Sequence, residues 1–67
     1  MTRPAVAALA QALRDKDKDV REDTAKALGK IGPKAEKAVP ALMQALKDEN
    51  LRVRQYAAKA LKQIQQK

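Results

Sequence analysis

The sequence predicts an all-α fold, an α-solenoid fragment of two stacked helix hairpins with four helices. Three observations lead there. A twelve-residue block, Val20 to Ile31, recurs as Val53 to Ile64. In both blocks the apolar residues keep helical spacing: Val20, Thr24, Ala27, Leu28 and Ile31, then Val53, Ala57, Ala60, Leu61 and Ile64. They fall at i, i+4, i+7, i+8 and i+11, one face of a 3.6-residue helix. Finally, each predicted first helix carries an alanine-lined flank beside its main apolar stripe, one face more than an isolated hairpin can bury.

The duplication runs through the whole chain at an offset of 33 residues (39 − 6 for Val6 and Val39). It relates Leu9 to Leu42, Leu13 to Leu46, Asp15 to Asp48, Arg21 to Arg54, Ala25 to Ala58 and Leu28 to Leu61. A period of this size marks a tandem repeat in which each unit is one supersecondary element. Residues 1–67 are expected to form a single domain, with unit one at about 3–32 and unit two at about 35–65.

In chain order, Thr2, Arg3 and Pro4 open the first helix, where the missing proline N–H is no loss. Val6, Leu9, Ala10 and Leu13 form its inner stripe, and Ala5, Ala8 and Ala12 its flank. The charged run from Arg14 to Asp19 is a solvated turn, with Asp17 the expected N-cap of the second helix. That helix spans about Lys18 to Lys30 and is stopped by Gly32 and Pro33. The third helix begins near Ala35 and is kinked at Pro40, or else begins at about Val39. Its inner stripe is Val39, Leu42, Met43 and Leu46, and its flank Ala38, Ala41 and Ala45. Asn50 caps the last helix, Leu51 to about Gln65, with the second helix of each hairpin on one common side. Stacked hairpins bury their second faces on their neighbours.

Composition narrows the function. There is no Cys, His or Ser, so no disulfide, thiolate site, imidazole ligand or hydrolytic triad, and no cofactor is expected. The acids at Asp19, Glu22 and Asp23 sit at a helix start, where the dipole favours them. The chain is therefore read as a non-enzyme. No apolar run reaches the ~20 residues of a membrane span, no signal-peptide pattern opens the chain, and a cytoplasmic setting is expected. A formal charge of +7 makes it attractive to polyanions. A chain of this length buries only about 60% of its unfolded surface.

The residues also resemble a known family. Ala38-Val39-Pro40-Ala41-Leu42, Leu46-Lys47-Asp48, Val53-Arg54 and Ala57-Ala58-Lys59-Ala60-Leu61 are similar to the HEAT repeat, in its short variety. That variety occurs in phycobilisome lyases, deoxyhypusine hydroxylase and artificial HEAT-like libraries. Val20-Arg21, Ala25 and Ala27-Leu28-Gly29-Lys30-Ile31-Gly32 match it as well. The resemblance implies a ladder between repeats, built from the Asp of each hairpin turn and the Arg six residues later. It carries over to Asp15 and Arg21 and to Asp48 and Arg54. The iron-binding His-Glu pairs of the hydroxylase have no counterpart, nor do the aromatics of HEAT-like DNA glycosylases. Gly29 becomes Lys62, and Gly32-Pro33 becomes Gln65-Gln66, so unit two reads as a C-terminal end.

Two functions compete. The first is a protein–protein interaction or self-assembly module; the second is a non-specific nucleic-acid or polyanion binder. For the first, the outer face of the second helices supplies Lys26, Lys30, Arg52, Gln55, Tyr56, Lys59 and Lys62 as the candidate partner surface. Glu22 and Gln66 share that face. Self-association, a two-fold dimer above all, is expected through Leu51, Tyr56 and Ala58, because Leu51 and Tyr56 stand where unit one has Lys18 and Asp23. Against the second, no helix offers a base-reading set of side chains, and Tyr56 is the sole aromatic.

Overall fold

The computed structural model describes residues 5–65; the expected helix opening at Thr2 to Pro4, and Gln66, lie outside them. Four α-helices are present among the described residues: α1 (Ala5–Ala12), α2 (Lys18–Ile31), α3 (Val39–Ala45) and α4 (Leu51–Ile64). A 3-10 segment, Gly32–Ala38, joins α2 to α3. No described helix is long and apolar enough to cross a membrane.

Local chemistry accounts for each boundary. The Asp17 carboxylate accepts from the Asp19 N–H at 2.8 Å, and Asn50 Oδ1 accepts from the Val53 N–H at 3.1 Å, so both long helices carry side-chain N-caps. α2 ends at Gly32, whose φ of 77° is one that side-chain-bearing residues rarely adopt, and whose N–H reaches the Leu28 carbonyl. Pro40 explains the 3-10 segment. Its nitrogen has no hydrogen to offer the Glu36 carbonyl, and its ring would crowd that oxygen in a continuous α-helix. Val39 N–H bonds to Glu36 O in the tighter pattern instead, and α3 starts at Val39. Of the two sequence expectations for this helix, the later start is the one found.

The hairpins stack along their second helices. α2 and α4 make the most extensive pairing, whereas α1 and α3 barely touch. The 3-10 segment reaches α1, α2 and α4, with Ala35 and Ala38 fully buried. The result is a slab of about 34 × 27 × 16 Å. Its core contains Leu13, Ala25, Leu28, Leu42, Val53, Ala57, Leu61 and Ile64. The buried Thr24 hydroxyl donates to the Val20 carbonyl at 2.6 Å, so no polar cost is left standing.

The expected stripes are buried unevenly. All five stripe residues of α4 are buried, but in α2 only Thr24 and Leu28 are, with Ala25 and Gly29 buried beside them. Ile31 is 38% exposed against 4% for its copy Ile64. Met43 and Leu46, expected on an inner stripe, are also exposed. The reason is position in the stack. Val20, Ala27 and Ile31 face the side where no described unit precedes, and Met43 and Leu46 the side where none follows.

Candidate functional site

Two constellations stand out, a groove and a ladder. The groove lies between α2 and α4 and is lined by Ala25, Lys26, Lys30, Tyr56, Lys59 and Gln63. Helical spacing puts them there: Lys26 and Lys30 are one turn apart on α2, and Tyr56, Lys59 and Gln63 are i, i+3 and i+7 on α4. The Lys26 ammonium stands 5.3 Å from the centre of the Tyr56 ring, a cation–π contact that also fixes the phenol against the groove wall. Tyr56 is half-buried and presents its ring to α2 rather than to the open end of the stack. No acid lines this groove.

The seven residues expected on one partner surface divide. Lys26, Lys30, Tyr56 and Lys59 line the groove. Arg52 lies elsewhere, 3.4 Å from Glu22 across the two hairpins. Gln55 and Lys62 share a face with Leu51 and Ala58 (i, i+4, i+7 and i+11 from residue 51), away from the groove. The three residues expected at a self-association contact are divided too. Leu51, 57% exposed, and Ala58, also exposed, share that outer face. Tyr56 is rotated from Leu51 by about 140° on the helix, since five residues turn through about 500°. Gln63 was not among the expected residues, although its spacing from Tyr56 and Lys59 would have found it.

The ladder is built from the hairpin turns. Arg21 of unit one reaches across to Asp48 of unit two in a fork: Nε to Oδ2 at 2.8 Å and Nη2 to Oδ1 at 3.1 Å. The same guanidinium donates through Nη1 to the Asp15 carbonyl at 2.7 Å and the Lys16 carbonyl at 3.1 Å. Arg54 repeats the intra-unit part, its Nη1 donating to the Asp48 carbonyl at 2.7 Å. The turn carboxylates also match: Asp15 Oδ1 accepts from the Asp17 N–H and Asp48 Oδ1 from the Asn50 N–H, both at 2.8 Å. Each Arg thus holds its own turn by a backbone oxygen, and Arg21 also holds the next unit by a carboxylate. The Arg21 and Asp48 side chains are each 11% exposed, which lifts the pair above an ordinary surface contact. Partial burial pushes the Asp48 carboxyl up, but the Asn50 N–H, the Arg21 fork and the charge of Arg54 outweigh it and hold it below its ordinary 3.8.

A wider depression between α1 and α3, lined by Leu13, Arg14, Pro40, Ala41, Gln44, Ala45 and Asp48, gathers no cluster of like groups. No trio of acidic, His or Cys side chains among the described residues is placed to hold a metal. A family model described as HEAT repeats matches residues 6–67. No curated protein matches the chain.

Proposed function

The chain belongs to the HEAT repeat family, whose members generally mediate protein–protein interaction, and we propose that its α2–α4 groove receives an acidic segment of a partner protein. One observation carries the reading: Lys26, Lys30 and Lys59 line one groove with a single half-buried tyrosine and no acid among the lining residues. Carboxylates along an extended or helical segment would meet three ammonium groups, while the Tyr56 ring offers apolar surface and a hydroxyl at one place. Exposed ion pairs contribute about 0.2–1 kcal/mol each, so the contact is expected to be modest and to weaken with salt. The reading is non-catalytic, in keeping with a chain that holds no Ser, Cys or His. The +7 charge also supports loose, sequence-independent binding of nucleic acid, but a lone aromatic cannot clamp a base on both sides.

An amide NMR titration with a glutamate-rich peptide tests this. Shifts centred on residues 26, 30, 56, 59 and 63, removed by Lys26→Glu with Lys59→Glu, are the expected result. Shifts spread over every basic residue would sink it, as would random-sequence duplex DNA binding that outlasts a rise in salt from 50 to about 200 mM, where loose phosphate binding falls steeply.

A further inference from the structure

The 33-residue repeat gives the molecule two open faces that can be compared, residue by residue, with the interface buried between its own units. On unit two, the buried side of that interface includes Ala38, Ala45, Val53, Ala60 and Ile64, with Asp48 as the acid of the rung. Their copies on unit one are Ala5, Ala12, Val20, Ala27, Ile31 and Asp15, identical at every position, and none of the six is buried. On unit one, the other side of the interface is formed by Leu13, Ala25 and Gly29, with Arg21 as the base. Its copies on unit two are Leu46, Ala58, Lys62 and Arg54; three of the four are identical, and Leu46 and Ala58 are exposed. The polar parts are set as well. Arg54 is oriented by the Asp48 carbonyl as Arg21 is by that of Asp15, and the Asp15 carboxylate is braced by its own turn as the Asp48 one is.

We propose that a second copy of this chain docks on the unit-one face head to tail, with Arg54 of one copy on Asp15 of the next, and that Lys62 sets how tightly. Continuity with the internal interface and the Arg–Asp complement name the occupant. Lys62 is the one changed residue among those four, and it copies Gly29, where the two units pack closely. A Cβ on Gly29 would stand 3.2 Å from Ala60 Cα and would meet the Gln63 amide. Translated by one repeat, the Lys62 side chain meets Ala27 and Lys30 of the next copy, a crowded and like-charged approach. The Glu22–Arg52 contact translates to Gln55 with Asp19, which can still hydrogen-bond. Such a contact is heterologous, leaving a free face at each end of a pair, so it builds chains of copies rather than two-fold dimers. It replaces the two-fold contact expected from Leu51, Tyr56 and Ala58, and it meets the lysine groove at Lys30.

Sedimentation velocity across a concentration series, at a fixed salt that screens the +7 charge, decides it. Lys62→Gly is expected to associate at concentrations lower than the parent by on the order of tenfold or more, with mass rising past a dimer and no plateau. Lys62→Ala, a better helix former that restores only the Cβ, should fall between them and guards against a folding defect in the glycine variant. In the Lys62→Gly background, Asp15→Arg alone and Arg54→Asp alone should stay monomeric, and mixing the two should restore association by pairing opposite charges at every contact. A Lys62→Gly chain no more associated than the parent overturns the proposal. So does association that the two charge reversals leave untouched.

Discussion

Arg21 and Arg54 are copies in sequence and unequal in the structure, and the difference is a neighbour. Arg21 has a carboxylate to fork onto; Arg54, among the described residues, has a backbone oxygen only. The asymmetry reaches Asp48, whose carboxyl is held below its ordinary value by the Asn50 N–H and two guanidinium groups despite partial burial. A carboxylate with a depressed native pKa adds stability that is present above the unfolded-state value, near 3.9, and is lost as pH falls through the native one. Stability of the parent should therefore fall as pH drops from about 5 to below the ordinary carboxylate range, and Asp48→Asn should flatten that decline. Urea midpoints at a series of pH values check this; equal slopes for the two proteins would contradict the role given to Asp48.

At the scale of elements, caps and stops were legible because they are local chemistry. Asp17, Asn50 and Gly32 act on backbone groups within a few residues, so spacing alone located them. Gly32 faces open space, yet its φ of 77° should make Gly32→Ala cost about 1 kcal/mol or more, read as a shift in the urea midpoint. No change there would mean that the end of α2 relaxes freely. Less legible was the segment from Gly32 to Ala38, where the sequence leaves open a helix from near Ala35 or a start at about Val39. Proline signals that a helix cannot run through, but not which tighter path the chain takes instead. The stripes show the same limit. Periodicity tells which residues share a helix face, not whether something covers it. All of the α4 stripe is buried, while Val20, Ala27 and Ile31 of α2 are covered by no described unit. The candidate surface was legible only in part for a related reason. Lys26, Lys30, Tyr56 and Lys59 share the groove, but Arg52, Gln55 and Lys62 belong to other sides of α4, and a helix wheel with no second helix beside it cannot divide them.

As a whole, the molecule is one unit written twice and joined by one interface, and its open faces follow from that interface. The apolar part of the joint is small, resting on Leu13 with alanine, valine and isoleucine, so the Arg21–Asp48 fork takes a larger share than an ion pair usually does in a larger core. A double-mutant cycle in urea is the most direct test, using Arg21→Ala with Asp48→Ala, and beside it Arg54→Ala with Asp15→Ala at low micromolar protein. Arg21 and Asp48 are predicted to be coupled by about 1–3 kcal/mol, and Arg54 and Asp15 by less than about 0.5 kcal/mol, because only the first pair meets within one molecule. Equal coupling in the two pairs, or none between Arg21 and Asp48, would contradict the account.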